Sequence, residues 1–199
     1  MHRILPYVSL IVVLSHLVRA FIWSPSSKHK DLIKKDYEII NTEDAIKDDE
    51  SPFTAAKKGK NSSMWKCVNA QLDGNANISL SAGNTGVLFV ISKMILKMMN
   101  KVSRPALAGL WPSKKGMSVV LDLGANIECD ENNLVDFSEM GAALFKSLFN
   151  NNNPKIALLN IGLEENKGNE VLKKTYNILK SKEIKDFEFC GYIEGNQIM

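Results

Sequence analysis

From Asp31 onward the chain switches repeatedly between short apolar runs and stripes of apolar residues at helical spacing. That switching predicts strands separated by single helices. Tyr37–Ile40 reads as a short strand, and the acidic patch after it (Glu43, Asp44, Asp48, Asp49, Glu50) as a solvated loop. Ser51-Pro52 opens a helix over Phe53–Lys60 whose Lys57, Lys58 and Lys60 form a wet face or meet an anion. Ser62 and Ser63 are N-cap candidates for a helix carrying Met64, Trp65, Val68 and Leu72, which Gly74 stops. Ile78–Ser81 follows as a strand, and Val87–Met99 as a nearly all-apolar core helix with one wet edge at Lys93, Lys97, Asn100 and Lys101. That helix is too short and too charged to span a bilayer.

Trp111–Gly116 reads as a loop. Ser118–Leu123 is an apolar strand interrupted only by Asp122, of the kind expected in a parallel sheet covered on both faces. Leu134, Phe137, Gly141, Leu144, Phe145 and Leu148 mark an amphipathic helix, ended by Asn150–Asn153 and Pro154. Lys155–Asn160 is a strand, Asn169–Lys180 a helix, and Phe187–Phe189 begins a last strand. The pattern implies βαβ units with right-handed crossovers and a mostly parallel sheet.

Three strand-to-helix turns stand out, at Ser81–Gly86, Leu123–Asn126 and Asn160–Asn169. Ligands of open α/β sheets bind beyond the carboxyl ends of the strands, where these turns are expected to lie. Glycine lets a backbone approach a ligand closely, and a helix beginning after the turn offers unpaired N–H groups that suit a phosphate. Each turn alone is as readily structural; three together point to one phosphate-handling site. Asn84, Asn126 and Asn160 could donate N–H to phosphoryl or carbonyl oxygens without adding charge. Lys167, just before a helix, could pair with a bound anion or be a solvated loop lysine. Arg104, before Pro105, could clamp a phosphate or form a surface salt bridge. Asp122 is placed to orient a neighbouring turn, since a buried carboxylate needs hydrogen-bond partners. Cys129 defaults to a small packing residue.

Composition narrows the chemistry. The chain has 199 residues, enough for one domain with a real core, and its net charge of +3 is too small to argue for nucleic acid. Cys67, Cys129 and Cys190 are widely spaced and odd in number, which suggests free thiols in a reducing compartment. All three histidines (His2, His16, His29) lie before residue 30, so the body has no imidazole for a triad or a metal site. The chemistry must run on Lys, Arg, Asn, carboxylates and backbone amides. Residues 1–30 differ from the body: His2 and Arg3 precede an apolar run, Ile4–Leu17, then Arg19 and Ala20–Trp23. A signal or anchor segment, a non-native leader, and a core element all fit; the body itself reads as cytosolic.

The strings Ser81-Ala82-Gly83-Asn84-Thr85-Gly86, Arg104-Pro105-Ala106-Leu107-Ala108 and Leu121-Asp122-Leu123-Gly124-Ala125-Asn126 with Cys129 resemble those of the phosphate acyltransferases. Phe137-Ser138-Glu139-Met140-Gly141, Leu158-Leu159-Asn160-Ile161-Gly162, Glu164-Glu165, Lys167-Gly168-Asn169 and Phe187 through Gly191 to Glu194-Gly195 continue the resemblance in order. It implies transfer of a fatty acyl group from acyl carrier protein to inorganic phosphate, giving acyl phosphate for a membrane glycerol-3-phosphate acyltransferase in bacterial phospholipid synthesis. It also implies a homodimer, cytoplasmic and peripherally associated with the inner face of the membrane, needing neither metal nor cofactor. The implied fold is a three-layer α/β/α one with a mostly parallel sheet, akin to phosphate acetyltransferases and isocitrate dehydrogenases. On this resemblance Lys167, Asn126 and Asn160 are catalytic. Lys167 and Arg104 take the phosphate charge, and Asn126 and Asn160 the tetrahedral oxyanion. Gly83, Asn84, Thr85, Gly86, Gly168 and Asn169 complete the phosphate cradle.

The family's opening glycine turn has no counterpart in residues 1–30, and the family continues beyond Glu194-Gly195. The expectation is a leader over 1–30 and the central section of the enzyme over 31–199, truncated at both ends, poorly soluble and inactive when expressed alone because unpaired sheet edges aggregate. Two other readings stay open: a CoA-dependent phosphate acetyl- or butyryltransferase, and a remnant without catalysis.

Overall fold

A computed structural model describes residues 40, 42, 44–46, 50–113, 116–150, 153–165 and 167–198. The expected strand at Tyr37–Ile40, most of the acidic patch and the whole 1–30 leader lie outside the described residues. What is described falls into two compact units, one ending at Lys97 and one beginning at Met98.

The first unit is helical: α1 (Pro52–Lys58), α2 (Ser63–Leu72) and α3 (Thr85–Leu96). Each begins where a side-chain oxygen replaces a missing intrahelical acceptor. Ser51 caps α1 with Pro52 in its first turn. Ser62, almost wholly buried, accepts from Trp65 N at 3.3 Å while its own hydroxyl donates to Gly59 O at 2.6 Å. Asn84 caps α3. The apolar stripes close on one cluster of Ala55, Ala56, Met64, Val68, Val87, Leu88, Ile91 and Ile95. Each large aliphatic residue buried there contributes about 1.5–3 kcal/mol.

One expectation fails in this unit. Ile78–Ser81 is not a strand; only Leu80 forms an isolated bridge, and Ile78 is exposed. The segment is tied along α2 instead. Ser79 Oγ lies 3.0 Å from both Cys67 O and Gln71 Oε1, and Cys67 Sγ donates to Leu80 O at 3.5 Å.

The second unit is mixed α/β. It contains β1 (Gly109–Ser113), β2 (Gly116–Val120), α4 (Glu131–Phe149), β3 (Lys155–Leu159), α5 (Glu170–Ser181) and β4 (Glu188–Ile193), then a 3₁₀ turn at Gly195–Gln197. β3 and β4 pair in parallel across α5, the expected βαβ unit. Their register slips between Ile156 and Leu158, opposite Cys190-Gly191, and Gly191 takes φ +85°, a left-handed backbone that glycine adopts without steric cost. The core beneath is Ala142, Leu158, Leu179, Phe187 and Tyr192.

The stretch Trp111–Gly116 is not a plain loop. Gly109–Ser113 is a strand that pairs antiparallel with Gly116–Val120, so of the run Ser118–Leu123, expected in a doubly covered parallel sheet, Ser118–Val120 lies in a hairpin and Leu121–Leu123 in no strand. In this register Trp111 lies opposite Ser118 and Leu110 opposite Val119. Among the described residues the strands form two two-stranded sheets, one antiparallel and one parallel.

Helices α4 and α5 run side by side in the same direction. Glu131 pairs with Lys174 at 4.0 Å and Glu139 with Lys182 at 2.6 Å, so equal steps along the two segments keep the partners matched. Parallel helices have their N-termini at one end. The turns leading into α4 and α5 therefore open at the same edge of this unit.

Candidate functional site

The turn before α4 is built around Asp122. Its Oδ1 accepts from Leu107 N at 2.7 Å, and its Oδ2 from Asn126 N at 2.8 Å and Asn126 Nδ2 at 3.2 Å. The second amide hydrogen of Asn126 goes to Pro105 O at 2.8 Å. Asn126 therefore spends both Nδ2 hydrogens on the scaffold. The strand end thus holds a strap over 103–107, which the N-terminus of α4 secures further. Asn133 Nδ2 donates to Ser103 Oγ at 2.7 Å, Ser103 N to Asp136 Oδ2 at 3.3 Å, and Arg104 Nη1 to Glu128 O at 2.7 Å. Asp130 and Asn133 form a reciprocal capping box.

Arg104 is exposed, with one of its five donors used on that carbonyl. Cys129 is partly buried; burial, then Asp122, pushes its thiol pKa up, with Arg104 opposing. A raised thiol pKa makes a poor nucleophile, which agrees with a packing role.

The turn before α5 is organised by Asn160, whose side chain is buried at the end of β3. Its backbone N–H donates to Ile193 O of β4 at 2.9 Å, and its Nδ2 to Lys167 O at 3.2 Å. Its Oδ1 has no hydrogen-bond partner and lies against Gly168, on the side where a Cβ would project. Gly168 adopts φ +89°, so it is glycine for two reasons: the left-handed backbone and the space taken by Asn160. Asn169 then caps α5, its Oδ1 accepting from Leu172 N at 2.8 Å. Lys167 is exposed, and among the described residues no carboxylate pairs with its ammonium.

The loop carrying Lys167 has a second anchor that the sequence did not single out. Glu165 Oε1 accepts from Tyr176 Oη and from Lys180 Nζ, both at 2.7 Å. These bonds, with Lys180 first, hold the Glu165 carboxyl below the ordinary range, and the same carboxylate, as hydrogen-bond partner, raises Lys180. Tyr176 is fixed in turn by stacking on Tyr192 (4.8 Å) and meeting Phe189 edge-on (5.4 Å). Ser103, Asn133, Asp136, Tyr176 and Lys180 were all missed from sequence. Only the Asp130-x-x-Asn133 spacing before an amphipathic stripe offered a signal for any of them.

In the first unit, Asn84 Oδ1 accepts from Val87 N at 3.1 Å and Ser81 Oγ from Gly83 N at 3.2 Å. Thr85 and Gly86 form the first turn of α3, which carries no acidic side chain. A Cβ on Gly83 would press on Met64, and one on Gly86 would lie 3.1 Å from Pro52. The structure thus brings Arg104, Asn126, Asn160, Lys167, Gly168 and Asn169 into one unit and sets Gly83, Asn84, Thr85 and Gly86 in the other.

The family described as "Fatty acid synthesis protein" matches residues 15–199, a span that reaches into the stretch read as a leader. A phosphate acyltransferase of Pelagibacter ubique is 57% identical over 163 residues, 82% of this chain and 49% of that protein. This chain belongs to the phosphate acyltransferase family. A phosphate acyltransferase of Caulobacter vibrioides is 43% identical over 161 residues, 81% of this chain and 44% of that protein. One of Bartonella henselae is 43% identical over 158 residues, with 79% and 44% covered. The chain spans about half the length of the curated relatives it matches. Among the described residues no helix is long and apolar enough to cross a membrane, and no three His, Cys, Asp or Glu side chains are grouped to share a metal ion.

Proposed function

We propose that this chain carries part of a site that transfers a fatty acyl group from acyl carrier protein to inorganic phosphate. The observation that carries the reading is the Lys167-Gly168-Asn169 turn. There a lysine whose ammonium meets no carboxylate among the described residues stands two residues before the N-cap of α5, where backbone N–H groups and the helix dipole favour an anion. Hydrogenphosphate held there attacks the thioester carbonyl through an oxygen. The carbon–oxygen bond forms, the carbon–sulfur bond breaks, and the proton of hydrogenphosphate ends on the departing thiol. Because phosphate is already a nucleophile, positioning and charge stabilisation supply the catalysis, and the lack of histidine beyond residue 29 is no obstacle.

In this reading Lys167 and Arg104 hold the phosphate charge, with the Gly168 and Asn169 amides beside them. Asn126, with both amide hydrogens committed, shapes the site rather than donating to the oxyanion. Asn160 commits one amide hydrogen to Lys167 O and keeps the other for the tetrahedral oxyanion. The three-layer α/β/α arrangement, homodimerisation, docking of acyl carrier protein, delivery of acyl phosphate to a membrane glycerol-3-phosphate acyltransferase and peripheral association with the inner face of the membrane belong to the same proposal.

Acyl-phosphate formation in the full protein, with acyl carrier protein and CoA thioesters compared as donors, tests it. Lys167→Ala is expected to lower the rate at least tenfold with the carrier-protein donor preferred. Undiminished turnover would remove the lysine from the site. A preference for short acyl-CoA would make this a CoA-dependent phosphate acetyl- or butyryltransferase, and no turnover at all a remnant.

A further inference from the structure

Among the described residues, the stretch between β3 and α5 is fastened at two places, with Lys167 beside one of them. One is Asn160, gripping Lys167 O and lying against Gly168. The other is Glu165, on which Tyr176 and Lys180 converge through a single carboxylate oxygen. Lys180 also sits over the Tyr176 ring, 5.2 Å from its centroid. The Tyr176 ring is itself locked against Phe189 and Tyr192 of β4. Within the loop, Lys167 N donates to Glu164 O at 3.0 Å, so a displacement of residues 164–165 reaches Lys167 through one backbone hydrogen bond.

A carboxylate two residues from an anion-binding lysine is, on charge alone, unfavourable for binding. Its hydrogen bonds come from Tyr176 and Lys180, farther along α5 than the helix entry. We propose that Glu165 is a positioning residue: with Tyr176 and Lys180 it clamps the loop to α5 and so sets where the Lys167 ammonium meets phosphate. This rests on the phosphate-site reading above. The clamp opposes the electrostatic effect of the same carboxylate, which gives the proposal a sign of its own.

The test is titration calorimetry of inorganic phosphate into the full protein and its variants, with thermal unfolding recorded alongside. Glu165→Gln removes a negative charge near the anion and loosens the clamp. Positioning predicts phosphate affinity three- to tenfold weaker; charge alone predicts it tighter. Tyr176→Phe, which changes no charge, should also weaken phosphate binding, and the double variant should be little worse than either single, because both act on one clamp. Glu164→Gln, which keeps the clamp, should tighten binding or leave it unchanged. The affinity for acyl donor should not move in any of these.

Phosphate affinity unchanged or tighter in Glu165→Gln, while Lys167→Ala abolishes binding, overturns the clamp and leaves the phosphate site standing. Undiminished phosphate binding by Lys167→Ala, or none by the parent protein, overturns the site reading and the clamp with it. Equal losses of phosphate and acyl-donor affinity would reduce Glu165 to a general structural contact and refute positioning.

Discussion

Replacing Asp122 by Asn tests the turn before α4 with almost no change of shape. Both carboxylate oxygens accept: Oδ1 from Leu107 N at 2.7 Å, Oδ2 from Asn126 N and Nδ2 at 2.8 and 3.2 Å. An amide has one acceptor and one donor end. In either orientation its NH₂ faces an N–H donor, so one side of the turn loses its bonds and gains a repulsion. Hydrogen bonds to a charged acceptor contribute about 1.5–3 kcal/mol each. Losing one side outright and the charge assistance on the other should destabilise the turn by about 2–4 kcal/mol. At about 1.4 kcal/mol per tenfold, the Leu107 and Asn126 amides should exchange with solvent roughly 30- to 1000-fold faster in Asp122→Asn. Amides of β3 and β4, which do not touch Asp122, provide the reference. Exchange of Leu107 and Asn126 unchanged within threefold would show that the carboxylate does not hold the strap.

Gly168→Ala should cost more than an ordinary surface substitution. The left-handed backbone penalises a Cβ by about 1–2 kcal/mol, and the methyl group must also displace Asn160 from Lys167 O; denaturant unfolding no different from that of Gly195→Ala, where a Cβ meets nothing, would contradict this. The Glu165 clamp should be complete at neutral pH and fail at both extremes. Glu165 has a lowered folded-state pKa, so its stabilisation is present above the unfolded value and lost as pH falls through the folded one. Lys180 has a raised folded-state pKa, so its share is present below the unfolded value and lost as pH rises through the folded one. An NMR titration placing the Glu165 carboxyl at or above an unperturbed glutamate would remove the acid limb.

Helices were legible because their signals are local. α2, α3, α4 and α5 each carry a capping side chain followed by an apolar stripe, and the observed bounds fall within a few residues of the expected ones. Strands were less so, because a strand is made by its partner. Ile78–Ser81 has the composition of a strand, yet Ser79 and Leu80 find their hydrogen bonds on α2. Trp111–Gly116 reads as a loop, yet Trp111–Ser113 belongs to the strand Gly109–Ser113, which pairs with Gly116–Val120. In the candidate site the glycines and asparagines were legible as turn residues. The direction of the Asn126 amide was not, because residue type does not say where an amide points. Asn126 has the right chemistry for an oxyanion and directs it into Pro105 and Asp122 instead.

The same donor accounting singles out Asn169 as the asparagine best placed to act on substrate. It caps α5 with Oδ1, which leaves its Nδ2 uncommitted among the described residues and exposed beside the helix entry. Asn169→Asp separates capping from binding. Asp caps as well as Asn does, and its charge suits the helix dipole, so unfolding should be unchanged or slightly later. A phosphate at the helix entry would instead lose a donor and face a carboxylate. At roughly 5 Å in a water-like dielectric, each unit of phosphate charge costs about 0.8 kcal/mol, or about half that after screening at physiological salt. For a dianion this is a loss of roughly fourfold in affinity at physiological salt, deepening toward roughly fifteenfold as salt is lowered. Phosphate titration at two ionic strengths, beside thermal unfolding, measures both quantities on one variant. An Asn169→Asp protein that keeps its stability and binds phosphate undiminished at low salt would place the anion away from the α5 entry, and Lys167 with it.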